Sequence, residues 1–339
     1  MTGVTTVAGV ICVALVIVDV LWTTVAAGAG AGPFTTRFTY LLWRVGLGTR
    51  TSQHHRVLQV VGVGITVSVV LTWIVLLLVG WSLVFSAPGA VVDATTAQPA
   101  DVWSRVYFTG FTVFTLGVGD YVPAAPVWQV ATVIATATGL TLVTLAITYL
   151  LSVTTSATQR RTLAAQISAL GSSPTDILLR AWDGTEFAGL DTTLQLLAAD
   201  VAELAQRHLA FPVLHYFHSP ERETAIAPNL AVLDELLTIL EHRVAPDQRL
   251  PALTTHQVRN TITALLTRAT PRTVDLGQAD VPSIPPSRDL QRAGVPFTDD
   301  ADWHAQVHEL ASRRRKLRDF LALDGWDWDS VWPPGDASP

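Results

Sequence analysis

Three long runs of apolar residues dominate the hydrophobic pattern of the chain. They cover Val7–Ala29, Leu58–Ser86 and Val127–Val153, and each is long enough to cross a bilayer as a helix, which takes about 20 apolar residues. A fourth apolar run, Trp103–Phe114, is too short to cross. Non-helical backbone at membrane depth is tolerated only where protein buries it or where it lines a watery cavity. We therefore predict a re-entrant helix over this run.

The pattern changes near residue 158, after which charged residues and histidines recur every few positions. Apolar residues in this half stand at three- and four-residue spacing, which is typical of amphipathic helices. These segments are Leu190–Leu209, Ala231–Arg243, Thr254–Arg268 and Asp299–Leu323. Strands do not alternate with helices here and no G-x-G-x-x-G motif occurs, so a nucleotide-sensing domain is not predicted. The pattern predicts an all-α membrane protein with a separate helical domain.

Composition agrees with a membrane protein and limits its partners. The chain is 49% hydrophobic and only 15% charged, against about 25% charged residues in soluble proteins. Its net charge of -6 leaves no basic excess to neutralise phosphates, so nucleic acid is not an expected partner. The single cysteine, Cys12, rules out an intrachain disulfide.

Arginines determine the predicted orientation. The stretch between the first two apolar runs has no acid and carries Arg37, Arg44, Arg50 and Arg56. Arg160 and Arg161 follow the third run. By the positive-inside rule both stretches are cytoplasmic, which places the N-terminus outside and the C-terminus inside. The first run lacks the basic leader of a signal peptide and is too long for one, so we expect a multi-pass protein of the cell membrane.

The segment that follows the short apolar run reads TLGVGD over residues 115–120. Gly117 and Gly119 permit backbone dihedrals that most residues avoid, so this strip can turn its carbonyl oxygens to one side. Carbonyls of residues 115–118, with the Thr115 hydroxyl, could then replace the hydration shell of a monovalent cation. The segment is therefore a candidate ion-binding site.

This segment resembles the selectivity filter of potassium channels, usually Thr-Val/Ile-Gly-Tyr/Phe-Gly-Asp. The order of span, short helix, filter and span is similar to the prokaryotic two-transmembrane pore domain, and the resemblance covers residues 58–157. It implies potassium bound by backbone carbonyls, and a ring of carbonyls needs four chains, so it also implies a homotetramer. The implied filter residues are Thr115, Leu116, Gly117, Val118, Gly119 and Asp120.

The same resemblance implies residues that support the filter. Tyr107 and Phe108 fall where the family keeps an aromatic cuff behind the filter. Phe111 stands where some members place a Glu that pairs with the filter Asp, so Asp120 needs another partner or only water. Val118 replaces the filter aromatic, which predicts a softer filter and weaker potassium selectivity.

The third span carries the predicted gate and cavity lining. Gly139 falls where these channels often keep a gating hinge, and close helix packing is the alternative. Several threonines of this span could keep a central cavity wettable, unless their hydroxyls bond back to helix carbonyls. They are Thr132, Thr136, Thr141, Thr144 and Thr148.

Asp19 is the acidic residue inside the first span. An ionisable residue at this depth is by default a functional candidate. The alternative is a neutral carboxylic acid bonded to Thr23 or to a neighbouring helix. No span carries arginine at every third position, so we predict no voltage sensor.

Motifs in the second half are interpreted as structural. His304 and His308 lie one helical turn apart, but no third ligand is evident, so no transition-metal site is predicted. The stretch HLAFPVLHYFH over residues 208–218 predicts a packed turn. The basic run from Arg313 predicts a solvated face, with lipid contact as the alternative. The tail DGWDWDSVWPP over residues 324–334 either docks on another subunit or frays.

These expectations define four regions. They are an N-terminal transmembrane helix (1–31), a basic cytoplasmic linker that is either an interfacial helix or a plain connection (32–57), a pore domain (58–157) and a cytosolic helical domain (158–339). We expect a non-voltage-gated, potassium-selective channel in the lipid bilayer, without enzymatic activity and with no cofactor beyond potassium ions. An unknown ligand or protein would bind the cytosolic domain. The alternative is a membrane-anchored signalling or scaffold protein whose pore is vestigial.

Overall fold

The computed structural model describes residues 2–26, 32, 34–38, 41, 55–270 and 276–332. The chain divides into two compact units, one of residues 1–49 with 63–153 and the other of residues 50–62 with 154–339. Arg44 and Arg50 of the predicted linker, and the tail from Pro333, lie outside the described residues.

Helices make up most of the described residues in the apolar part of the chain. The main ones are α1 (Thr2–Val25), α2 (His55–Val84), α3 (Val102–Val113) and α4 (Pro126–Leu170). Three of them, α1, α2 and α4, are long and apolar enough to cross a membrane, as the hydrophobic pattern predicts. Helix α4 continues past the predicted end of its span at Val153. No Gly or Pro interrupts the chain between Val153 and Gly171, and these are the residues that most strongly oppose helix.

A short antiparallel strand pair lies beside α3. Strands β1 (Val91–Asp93) and β2 (Tyr121–Pro123) pair so that Val91 faces Pro123 and Asp93 faces Tyr121. The sheet has two strands, so β2 is an edge strand, where the missing N–H of Pro123 costs little. The pair is not predicted from the sequence. It brings the loop that precedes α3 next to the backbone that follows the candidate filter.

Helices α1 and α2 approach closely at a pair of glycines. A Cβ on Gly9 would lie 2.6 Å from the carbonyl oxygen of Gly80, and a Cβ on Gly80 would lie 2.8 Å from Val13 Cγ2. Small residues at such points let helix backbones come together without a hydrophobic driving force from water. This contact holds α1 against α2 within the first unit.

The second unit is helical. Its helices are α5 (Pro174–Ala181), α6 (Leu190–Ala210), α7 (Ile226–Thr238), α8 (Ala252–Ala269), α9 (Arg288–Arg292), α10 (Asp300–Glu309) and α11 (Ala311–Leu323). Ser173 caps α5, since its side chain accepts the N–H of Asp176. Helices α6 and α8 pack along each other. Helix α7 continues into one π-helical turn, Ile239–Arg243.

Helix α7 forms the centre of this unit and is buried on every side. All its residues are buried, including Asn229, Asp234 and Glu235. The helix predicted over Ala231–Arg243 is present. Its predicted amphipathic character is wrong for α7, because the polar residues of α7 face protein rather than water. A helix without an exposed face belongs in a core.

Arginines neutralise the two buried acids of α7. Asp234 pairs with Arg259 at 2.8 Å and with Arg313 at 2.5 Å, and Glu235 pairs with Arg314 at 2.8 Å. Burial raises the pKa of Asp234, but the two arginines outweigh it and leave that pKa below its usual value. At Glu235 burial dominates, and the pKa is raised despite Arg314. The prediction of a solvated face from Arg313 is wrong for Arg314, which is fully buried.

The tryptophan-rich tail packs into the same core up to residue 332. Trp328, Val331 and Trp332 are buried there. For these residues the expectation of fraying, or of docking on another subunit, is wrong. The packed turn predicted over 208–218 is confirmed, since Pro212–Tyr216 is a 3-10 helix and His208 and His218 are buried.

Candidate functional site

Helix α3 delivers the backbone into the candidate filter. Asp101 starts the helix by accepting the N–H of Ser104 at 2.8 Å, which satisfies one of the unpaired donors of the first turn. At the other end the N–H of Leu116 donates to the Phe111 carbonyl at 2.8 Å. This bond closes a wide turn and directs the chain away from the helix axis.

Backbone conformation alternates along the strip. Thr115, Gly117 and Gly119 have φ angles of 60°, 59° and 87°, whereas Leu116 and Val118 have negative φ. Successive carbonyls of an ordinary strand point to opposite sides, but a backbone whose φ changes sign at every residue can turn them to the same side. The two glycines adopt this conformation freely. Thr115 is β-branched, so its positive φ is a strained exception.

The aromatic residues predicted behind the filter contact one another. The rings of Tyr107 and Phe111 lie 5.2 Å apart, and those of Phe108 and Phe111 lie 5.3 Å apart, all with edge-to-face geometry. Phe85 of α2 extends the cluster, 5.1 Å from Phe108. Such pairs are more favourable than burial alone by about 0.5–1.5 kcal/mol each.

The Asp120 carboxylate has a backbone partner at the outer end of the strip. It accepts the N–H of Tyr121 at 3.1 Å, and Tyr107 lies within electrostatic reach of it. Phe111 occupies one position of α3 where an acid could have paired with Asp120, and Tyr107 lies one turn earlier on the same face. The donor at the outer end of the strip is therefore the backbone N–H of Tyr121, the next residue along the chain.

Gly139 lies against the end of α3. A Cβ at this position would overlap the backbone of Val113, with the carbonyl carbon at 2.8 Å and Cγ1 at 2.9 Å. The nearby Thr136 hydroxyl donates to the Thr112 carbonyl at 3.3 Å. This is the close-packing arrangement that is the alternative to a hinge, and the hinge stays a prediction.

The threonines of α4 bond back to their own helix. Hydroxyls of Thr132, Thr136, Thr144 and Thr148 donate to carbonyls four residues earlier at 2.7–3.0 Å. Thr141, Thr144 and Thr148 are exposed in the single chain. A hydroxyl that donates to its helix keeps acceptor capacity, so wetting of a cavity by these residues stays a prediction.

Asp19 connects three parts of the first unit. Its carboxylate accepts the Trp73 Nε1–H of α2 at 3.0 Å, the Thr35 hydroxyl at 2.5 Å, and the backbone N–H groups of Phe34 and Thr35 at 3.0 and 3.3 Å. Residues 34–38 are helical. The predicted alternative partner Thr23 instead accepts the N–H of Gly32 at 2.9 Å. Three of the four donors are N–H groups, so the carboxylate acts as an acceptor here.

Sequence reasoning missed the role of Arg105 on α3. Its guanidinium donates to the carbonyls of Ser86 at 2.7 Å and Ala100 at 2.9 Å. It thereby ties the two ends of the loop between α2 and α3. Carbonyl partners have no side-chain signal, so the pattern could not reveal this role.

Comparisons with known proteins agree with this geometry. Residues 69–156 match a family described as ion channel. A Bacillus subtilis protein named "Uncharacterized membrane protein YdjJ" is 32% identical over 325 residues, which cover 95% of this chain and 94% of the relative. The chain belongs to the YdjJ family of membrane proteins.

Membership of the YdjJ family and the ion channel match confirm the predicted fold class. The chain is an all-α membrane protein with an ion channel domain, and its apolar helices contact the lipid bilayer. The match lies inside the region 58–157 for which a pore is predicted. No solved structure matches this YdjJ-family chain.

Proposed function

We propose that this chain is the subunit of a homotetrameric, potassium-selective channel without a voltage sensor. The observation that carries the proposal is the alternating sign of φ over Thr115–Gly119. Carbonyls turned to one side by this alternation can coordinate a dehydrated monovalent cation. The ion channel match over residues 69–156 supports conduction, and the selectivity and the number of subunits are our inference.

Exposure of the strip favours four subunits. Residues 114–120 are all exposed in the single chain, and the apolar side chains of Leu116 and Val118 are 71% and 53% exposed. One chain supplies one strip, so a closed ring of carbonyls needs several copies related by rotation. Neighbouring copies would also cover the apolar side chains.

Asp120 and the arginines determine the proposed orientation. Asp120 would face the outer mouth and attract cations, while Arg160 and Arg161 follow the positive-inside rule on the cytoplasmic side. The N-terminus is then outside and the C-terminus cytoplasmic. Val118 offers no aromatic ring to brace the filter, so we expect potassium selectivity that is real but weaker than in aromatic-filter channels.

Ion flux across liposomes tests the proposal. The purified protein is reconstituted and exposed to potassium, sodium and rubidium gradients, with barium as blocker. We expect barium-sensitive potassium flux and a reversal potential that follows the potassium gradient. Mass measurement of the detergent-solubilised protein should give four chains.

Two glycine variants sharpen this test. Gly117→Ala and Gly89→Ala both place a Cβ at a positive φ, 59° and 69°, where no atom lies within 4 Å. Both substitutions therefore cost roughly 1–2 kcal/mol of backbone strain, but only Gly117 belongs to the strip. Gly117→Ala should abolish flux and Gly89→Ala should retain it. Absence of flux from the wild-type tetramer would instead favour a signalling or scaffold protein with a vestigial pore.

A further inference from the structure

The outer end of the strip is attached to the loop that precedes α3. The carbonyl of Asp120 accepts the N–H of Ala94 at 2.9 Å. Directly after it, β2 pairs with β1, and the N–H of Ala124 donates to the Ala90 carbonyl at 3.1 Å. The backbone that leaves the filter is thus hydrogen-bonded over its whole length to residues 90–94.

That loop is itself held in one conformation. The carboxylate of Asp93 accepts the N–H groups of Thr95 at 2.9 Å and Thr96 at 2.7 Å. The backbone of Asp93 exchanges two further bonds, with Ala97 at 3.0 Å and Gln98 at 2.9 Å. These four bonds close the turn of residues 93–98 around Asp93. Hydrogen bonds from Thr96 and Thr95 also lower the pKa of Asp93.

Two further features fix this turn to the rest of the first unit. The Arg105 guanidinium, on α3, holds the carbonyls of Ser86 and Ala100 at the two ends of the loop. Val91 and Ala100 add a bond of 3.0 Å across the loop. The position of the Ala94 N–H is therefore set by α3 and by the end of α2.

The hydrogen bond from Ala94 to Asp120 holds the strip at a place where its own side chains stabilise its conformation little. Val118 is more than half exposed in the single chain, and Thr115 is held in a strained conformation. A filter discriminates between cations only while its carbonyls keep their spacing. A fixed backbone bond at Asp120, one residue beyond Gly119, limits how far the outermost carbonyls can move.

We infer that the loop of residues 86–101 is a clamp on the filter, in which the Ala94 N–H positions the Asp120 carbonyl and thereby sets ion selectivity. The inference rests on the proposed channel function. It makes Ala94 a positioning residue, because its N–H touches the filter backbone and not the ion. Its side chain plays no part, so side-chain patterns could not indicate this role.

Replacement of one backbone N–H by an ester oxygen tests the clamp. Ala94→lactic acid, introduced by nonsense suppression, keeps the methyl side chain and removes the donor to Asp120. Ala188→lactic acid is the matched control, since it has the same side chain and also loses one backbone bond, but its N–H donates to the Ala181 carbonyl at 2.9 Å in the second unit, outside the loop. Ala94→Pro, which also lacks the N–H, provides a genetically encoded second variant.

The readout is the potassium-to-sodium permeability ratio of reconstituted tetramers. We expect at least a fivefold fall for Ala94→lactic acid and for Ala94→Pro, and a change of less than twofold for Ala188→lactic acid. A wild-type ratio in the Ala94 ester, or equal falls in both esters, would overturn the clamp and leave the channel function standing. A wild-type protein that conducts without discrimination would overturn it as well. Absence of any wild-type flux would overturn the proposed function, and the clamp with it.

Discussion

At the scale of single residues, backbone conformation and close contacts determine the structure of the pore region more than side-chain chemistry does. Thr115 has a positive φ of 60°, which costs a β-branched residue roughly 1–2 kcal/mol and persists because the bond from Leu116 to Phe111 holds the turn. Gly139 is needed because a Cβ would overlap the backbone of Val113. Backbone cannot move aside as a flexible side chain can.

Gly139→Ala should therefore weaken the first unit. Alanine favours helix by about 1 kcal/mol over glycine, but overpacking against backbone costs about 1–3 kcal/mol, so we expect a net loss of up to about 2 kcal/mol and a lower apparent melting temperature in detergent. Gly64→Ala is the control, because nothing lies within 4 Å of its Cβ. A changed open probability with an unchanged melting temperature would instead assign Gly139 to the hinge.

At the scale of elements, α1 is attached to α2 at two separate points. Gly9 and Gly80 allow the backbones to touch. The second attachment joins Asp19 to Trp73. Asp19 lies ten residues after Gly9, which is about 15 Å along α1 at roughly 1.5 Å per residue. The charged acceptor makes this second bond the stronger kind.

Removal of the Trp73 donor tests that attachment. Trp73→Phe loses a bond to a carboxylate, worth about 1.5–3 kcal/mol, whereas the control Trp81→Phe loses a bond between neutral groups, worth about 0.5–1.5 kcal/mol. Trp81 lies on the same helix and donates to the Thr138 hydroxyl at 3.0 Å. We expect Trp73→Phe to lower the apparent melting temperature more than Trp81→Phe. In an Asp19→Asn background the effect of Trp73→Phe should shrink; full additivity would contradict the attachment.

At the scale of the whole molecule, the second unit buries a polar cluster in its core. Asp324 pairs with Arg160 at 2.8 Å and with His218 at 2.9 Å. Burial raises the pKa of Asp324, but Arg160 and His218 outweigh it and lower that pKa to about 2. The Nδ1–H of His208 donates to the Leu204 carbonyl at 3.1 Å, and burial lowers the pKa of His208 to about 3. Burial also lowers the pKa of His215 to about 4.

Acid should therefore destabilise the protein. The folded pKa values of His208 and His215 lie below the ordinary value of 6.5, so the unfolded chain binds the proton first. Above pH 6.5 both histidines are neutral in the folded and the unfolded chain, and they cost no stability. Below pH 6.5 the free energy of unfolding falls by about 1.4 kcal/mol per pH unit for each histidine, until the pH reaches the pKa of that histidine in the folded protein. The apparent melting temperature between pH 7.5 and 5.0 should fall less steeply in His208→Gln than in the wild type. The exposed His304→Gln should leave the slope unchanged, and identical slopes in all three proteins would contradict the prediction.

The sequence by itself determined the membrane helices and the TLGVGD strip. Apolar length and glycine spacing are local properties, which need no knowledge of neighbours. It also determined the aromatic residues behind the strip, although not that the backbone N–H of Tyr121 would donate to Asp120. Polar residues of the second half were assigned to solvent, because sequence patterns count charges and cannot tell an exposed charge from a paired one.

Only the tertiary structure decided the contacts that join distant segments. Asp234 and Glu235 lie in a core because Arg259, Arg313 and Arg314 reach them from other helices, and Asp19 is satisfied by donors 15 to 54 residues away. The bond from Ala94 to Asp120 joins two backbone groups. Every residue but proline carries the same N–H and carbonyl. The sequence therefore does not indicate which of these groups pair, and the fold decides it.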